Sequence, residues 1–364
     1  MRPNREITLP STLLAAAVLF ATIQTAAAKP TAKPQGLWVG DEQYFTEFQG
    51  KALEQTGIPK SNLTFGSSDY AAPRSMAFDQ HNDLWITFGS IDASTDPVLE
   101  ISYADFARLM AHEPVKPKVL ITELGNTGIP FEVPYSIAFD AAGDLWVSTQ
   151  YGPRIVELTP SQTKKSGSPS PTVTLTAADF TPEAIRFDAS NNLWVVQYQQ
   201  PYNPSSPLQL GRYAPADRAA SGPATPSLLL DLPDQMYPMD IAFDSAGNLW
   251  AAGSSTYGDE IQMFAAADLT GSGEISPSPA VTIAPSTFGS LPGVHCLDGI
   301  DFDHAGNLWV SNEGTCQTKS QVDGFTPSQL SVGGDLTPSI VIEQNTRRTN
   351  IFLPGPIRFG PALQ

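Results

Sequence analysis

The chain has 364 residues, a formal net charge of −17, 33 prolines, 28 glycines and only two cysteines. An acidic excess of this size repels phosphate backbones and anionic lipid surfaces, which speaks against nucleic acid or a membrane surface as the partner. The acids form no block, and abundant Pro and Gly suit many turns between short strands.

At the N-terminus, Arg2 and Arg5 lead into an apolar run from Leu13 to Ile23 broken only by Thr22, followed by Ala26, Ala27 and Ala28. This is the pattern of a secretory leader cut after small residues. The run is too short to anchor the chain in a bilayer, and no cysteine follows the alanines to carry a lipid. The sequence therefore predicts a signal peptide over residues 1–28 and one domain over 29–364, a secreted or periplasmic monomer with no membrane anchor.

The rest of the chain is repetitive. All six tryptophans, Trp38, Trp85, Trp146, Trp194, Trp250 and Trp309, follow a leucine, at spacings of 47, 61, 48, 56 and 59 residues. Five of them stand seven residues after a Phe-Asp pair: Phe78-Asp79, Phe139-Asp140, Phe187-Asp188, Phe243-Asp244 and Phe302-Asp303. The segments read PRSMAFDQHNDLW, PYSIAFDAAGDLW, PEAIRFDASNNLW, PMDIAFDSAGNLW and LDGIDFDHAGNLW. Pro opens an extended segment, alternation up to Phe makes a short strand, and Asp bonds to turn amides. Gly or Asn then supplies the positive φ of a hairpin, and Leu-Trp starts the returning strand. The hairpin sets Phe302 opposite Trp309.

A third strand follows in each unit, as at Val98 to Ile101, Ile155 to Leu158 and Ile261 to Phe264. Next comes a polar stretch resembling a helical turn, such as YADFARLM, and then a fourth strand, such as KVLIT from Lys118 or TVTL from Thr172. Four antiparallel strands per repeat describe a propeller blade. QGLWVG around Trp38 lacks a preceding Phe-Asp strand, and PGPIRFG from Pro354 lacks a following Leu-Trp. The two ends complete each other, so the fold predicted is an all-β six-bladed β-propeller closed by pairing its N- and C-terminal segments. Six tryptophans at one place in the repeat are packing between blades. Burying roughly 150–250 Å² each is worth on the order of 4–6 kcal/mol gross.

Cys296 and Cys316 fall nearly opposite each other in the last hairpin. In an oxidising compartment they are expected to form a disulfide, stabilising the fold by roughly 3 kcal/mol.

In a propeller, the loops into the innermost strands and out of the second strands meet around the central channel on one face. That face is the expected ligand site. The residues leading into the innermost strands are Arg74, Tyr135, Glu183, Met239, Asp298 and Gly355, with Ser75, Ser136 and Asp240 beside them. Arg186, Asp301 and Arg358 lie deeper, and the second-strand exits add Gln197, Tyr198, Asn312 and Glu313. Two arrangements are open. Glu183, Asp240, Asp298 and Asp301 can together hold a hard cation such as Ca²⁺, or they can pair with Arg74, Arg186 and Arg358 across the channel. His295 near Glu313 is a candidate acid–base pair. No G-x-S-x-G elbow, H-E-x-x-H helix or phosphate loop is present.

The repeat P-x-x-I-A-F-D-x-x-G-N-L-W-V resembles those of the NHL-type and gluconolactonase-like six-bladed propellers, often called TolB-like. The resemblance covers essentially the whole chain after the leader and implies the fold more than an activity. For gluconolactonase-like enzymes it implies a divalent metal held by Glu, Asn and Asp at the channel. Asp298 in LDGIDFD matches the Asp, Glu183 is of the right type, and no matching position carries Asn. Streptogramin lyases share the G-N-L-W repeat but continue L-W-F-T-E. Three residues past each Trp this chain has Asp41, Phe88, Thr149, Gln197, Gly253 and Asn312, with Glu313 one residue later. The reading at this stage is a binding module for a protein, glycan or small-molecule ligand. The alternatives are a metal-dependent lactonase-like hydrolase using Asp298 and Glu183, and a lyase using His295 and Glu313.

Overall fold

Each Phe-Asp segment folds back on itself because one aspartate organises the whole turn. Asp244 Oδ1 accepts the amides of Ala246 and Asn248, and Oδ2 accepts Asn248 Nδ2 and Trp250 Nε1 at 2.8–3.0 Å. Asp188 and Asp303 repeat the arrangement with Trp194 and Trp309, and Asp79 holds Trp85 Nε1 at 3.3 Å. The turn residue before the returning strand takes a left-handed φ in all five hairpins, as at Asn82 (66°) and Gly306 (82°). Asn and Gly tolerate this conformation.

A computed structural model describes residues 35–41, 45–61, 63–65, 73–88, 97–110, 113, 115–124, 133–150, 152–199, 208–286, 288, 296–313, 320–344 and 354–362. They form a six-bladed β-propeller. Blade one joins Ile357–Pro361, innermost, to Gln35–Gly40, Phe45–Gln49 and Leu63–Phe65, so the ring closes by pairing the two ends of the chain. The innermost strands of blades two to six are Pro73–Phe78, Pro134–Phe139, Phe180–Phe187, Tyr237–Phe243 and Leu297–Phe302. Among the described residues no helix is long and apolar enough to cross a membrane.

One detail of the hairpin differs from the sequence reading. Phe302 pairs with Leu308, and Trp309 pairs with Asp301. The turn closes between Asp303 N and Asn307 O, which moves the register by one residue. Each Trp therefore lies across from the residue before the Phe, and it packs on the Phe of the following blade. Trp38–Phe78, Trp85–Phe139, Trp146–Phe187, Trp194–Phe243, Trp250–Phe302 and Trp309–Phe359 all meet at 5.6–6.2 Å between ring centroids. These tilted and edge-on contacts are favoured by the ring quadrupoles. All six indoles are buried.

The polar stretches after the third strands are more structured than a single helical turn. YADFARLM is an α-helix, Tyr103–Met110, and its Phe106 packs on Trp38 at 4.9 Å. In the same place Leu269 joins the cluster around Trp194, and Leu330 joins the cluster around Trp250. Blade four uses Arg218 instead. Its guanidinium lies 4.8 Å above both Trp146 and Phe187 and pairs with Asp140 at 3.3 Å. Here Trp146 Nε1 has no acceptor.

Further along five of the linkers, a glycine pairs in parallel with the outermost strand of the preceding blade. The pairs are Gly57 with Ile342, Gly167 with Ile121, Gly222 with Leu175, Gly273 with Leu228 and Gly334 with Ile283. The hydroxyls of Thr56, Ser166 and Ser221, just before the glycines, accept amides of those outer strands at 3.0–3.1 Å. These links cover strand edges that are otherwise open to pairing with other chains.

Candidate functional site

The innermost strands enter the ring through β-bulges. Register shifts fall between Pro73 and Ser75, Pro134 and Ile137, Pro182 and Ile185, Pro238 and Asp240, and Leu297 and Ile300. The residues inside them include Arg74, Tyr135, Glu183, Met239 and Asp298. A bulge re-aims side chains out of the normal alternation, and five at one level gather these residues around the axis. In three of the five strands the next residue ties neighbouring bulges together. Ser75 Oγ accepts Ile137 N, Ser136 Oγ accepts Ile185 N, and Asp240 Oδ2 accepts Ile300 N, at 3.1–3.3 Å.

A cavity of about 20 Å³ lies on the axis, lined by Arg74, Tyr135, Met239, Asp240, Asp298 and Arg358 among others. It has space for about one ordered water. Below it, Asp240 is 6% exposed and pairs with Arg186 at 2.8 Å and Arg358 at 2.9 Å. Its other oxygen accepts Ile241 N. Burial pushes the Asp240 carboxyl up to about 6, opposed by Arg186 and the backbone amides, so it remains ionised at neutral pH. Asp301 lies deeper and accepts the amides of Phe302 and Phe359, fastening blade six to blade one. Burial raises its carboxyl, and Arg186 opposes the rise.

The remaining carboxyls are different. Glu183 takes the Tyr237 hydroxyl on both its oxygens, at 2.8 and 2.9 Å, with Tyr198 edge-on to Tyr237 at 5.5 Å. Burial lifts Glu183 to about 7, while Tyr237 and Arg74 pull it down. Asp298 is lifted to about 8 by burial and by the negative charges of Glu313 and Asp240, against the pull of Arg74. Arg74 lies over the Tyr135 ring at 5.3 Å, and its buried Nε has no partner.

The structure thus brings together Arg74, Tyr135, Asp240 and Asp298 at the cavity, with Glu183, Asp301 and Glu313 near enough to influence its charge. Of the two arrangements the sequence left open, Asp240 pairs with Arg186 and Arg358, whereas among the described residues Asp298 and Glu183 pair with no arginine. His295 and Cys316 lie outside the described residues. Cys296 is buried and is not a free thiol. The contribution of Tyr237 went unread in the sequence, although it directly precedes the motif residue Pro238.

Among the described residues, one group of three acids brings ligand-type oxygens within 4.8 Å of one another, and it is not on the axis. It consists of Asp79, Asp83 and Glu100 at the blade-two turn. Lys118 Nζ fills it, 2.7 Å from Asp83 and 2.5 Å from Glu100. The ammonium does there what a metal would otherwise do.

No family model matches the sequence, and no curated protein matches it either. Solved structures match by shape. A Bacteroides caccae protein of unknown function superposes with a TM-score of 0.56 at 11% identity, over 90% of this chain and 100% of that one. A calcium-binding protein, regucalcin, from Agrobacterium tumefaciens gives 0.45 at 13% identity, over 78% of each chain. Virginiamycin B lyase from Staphylococcus aureus gives 0.42 at 13% identity, over 71% of this chain and 67% of that one. A putative gluconolactonase is also among these structures. The six-bladed fold rests on the sheets themselves, and at such identities the likeness leaves the activity to the residues.

Proposed function

We propose that this protein is an exported binding module that takes a ligand on its channel face. The observation that carries the reading is the state of Asp240. Its oxygens are taken by two arginines and two backbone amides, so the central carboxylate of the ring is a structural link and not a free ligand for a metal. The groups left to face the cavity, Arg74, Tyr135 and Asp298, are hydrogen-bonding groups of mixed sign, which suits recognition of a polar ligand. The leader over residues 1–28 directs export, and a Cys296–Cys316 disulfide stiffens the rim of blade six in that compartment.

The direct test is a thermal-shift screen of sugars, short peptides and small polar metabolites. It compares the mature protein with Met239→Trp, which fills the mouth of the cavity. Ligands that stabilise the unaltered protein and not Met239→Trp support the reading. Hits that stabilise both equally place binding elsewhere and overturn it.

A second reading, a hydrolase with a divalent cation on Asp298 and Glu183, is supported by the lack of an arginine partner for either carboxyl. It requires a stoichiometric cation in the purified protein and a melting temperature that falls on chelation and recovers with Ca²⁺. Asp298→Ala abolishes that response if the reading holds.

A further inference from the structure

Two side chains at the axis are left without the partner that their chemistry calls for. Arg74, in the bulge of blade two, has no hydrogen bond or ion pair among the described residues. Its guanidinium carbon lies over the Tyr135 ring, 5.3 Å from the centroid, its buried Nε has no partner, and its N–H groups remain its means of binding. Asp298, in the bulge of blade six, accepts no hydrogen bond there either. Its Oδ2 lies so close to Gly355 that a Cβ on that residue would meet it at 2.9 Å. Both line the same cavity but do not approach each other as an ion pair. The other charges facing it, Asp240 and Arg358, satisfy one another.

We propose that the axial cavity receives the end of a ligand that offers a hydrogen-bond acceptor to Arg74 and a donor to Asp298, as a primary amide or an α-amino acid does. This inference rests on the reading of the channel face as a binding site. A bare cation meets the guanidinium of Arg74 and is repelled. A bare anion meets the carboxyl of Asp298 and gains nothing from it. A donor and an acceptor side by side satisfy both groups. The cavity of about 20 Å³ holds about one water, so only the donor and acceptor atoms at the tip of the ligand reach Arg74 and Asp298, and the body of the ligand stays outside on the face.

The test is ligand-observed NMR titration of the mature protein at pH 9, where the Asp298 carboxyl is ionised, with acetamide, glycine, acetate, methylammonium and CaCl₂ at constant ionic strength. It is repeated on Arg74→Gln and Asp298→Ala after their melting curves show that they fold. Acetamide or glycine is expected to bind more tightly than acetate or methylammonium. Each substitution is expected to weaken that binding by about tenfold or more, the effect of losing one hydrogen bond to a charged group. The inference is overturned if Ca²⁺ binds in preference, if acetate binds as well as glycine and is indifferent to Asp298→Ala, or if no probe binds. In the last case, screen hits lost in Met239→Trp still support a channel-face binding module for a different chemistry. Hits retained in Met239→Trp overturn both readings.

Discussion

Replacing Asp323 with asparagine should stabilise this protein, and should do so only where the carboxyl has begun to ionise in the unfolded chain. Asp323 lies in the third strand of blade six, Gln321–Phe325, and is 0% exposed. One oxygen accepts Gln321 Nε2 at 2.7 Å, and the other has no partner. Burial raises the carboxyl from 3.8 to about 7. The folded chain therefore holds the proton over a range in which the unfolded chain has released it. The stabilising contribution is fully present below pH 3.8 and is lost as pH rises to about 7. The loss is about 1.4 kcal/mol per pH unit, which sets an upper limit of about 4 kcal/mol. Relaxation around the site lowers the expected effect to roughly 2 kcal/mol. An amide in place of the carboxyl cannot ionise and escapes this loss. Urea unfolding of both proteins should show similar stability at pH 4 and a gap in favour of Asp323→Asn that is complete by pH 8. A gap that does not change with pH, or a less stable variant at pH 8, refutes the argument that burial dominates at this carboxyl.

Other outcomes follow from the same geometry. Asp240→Ala strands two buried guanidiniums and should cost about 3–5 kcal/mol in denaturant unfolding. Replacing Arg186 by Gln in that background should cost less than it does alone, because the pair is already broken. Asp303→Ala removes the acceptor for two turn amides and the buried Trp309 indole, and should cost about 2–3 kcal/mol by the same measurement. Thiol titration of the denatured, unreduced protein should find no free cysteine, and Cys296→Ser should lower stability by about 2–5 kcal/mol.

Much of the architecture was legible because one signal recurs. Leu-Trp and Phe-Asp mark the two inner strands of each blade, and the incomplete ends at Trp38 and Phe359 give the closure. The register was missed by one residue because nothing in Phe-Asp-x-x-Gly-Asn specifies which backbone pair closes the turn. The candidate site was legible as a list of residues but not as an arrangement. Arg74, Glu183 and Asp298 follow from their positions after the leading residue of each repeat. Which arginine meets which carboxylate depends on side-chain reach across the channel, which spacing along the chain does not encode. The linkers held a signal that was overlooked. Thr56-Gly57, Ser166-Gly167, Ser221-Gly222 and Ser272-Gly273 recur in four of the six repeats, in stretches that otherwise read as variable loops.

Those linker glycines give the ring a direction. Every one of them reaches back to the blade before its own, so the blades overlap like roof tiles. An incomplete unit would leave one edge bare on its predecessor and one hook idle on its successor. Deleting or duplicating a whole repeat, cut at equivalent points, leaves every overlap matched. A fragment of a repeat cannot do so. Changes in the number of units in such a chain are thus constrained to whole steps, and a truncated copy is set to associate through its uncovered edge with another molecule.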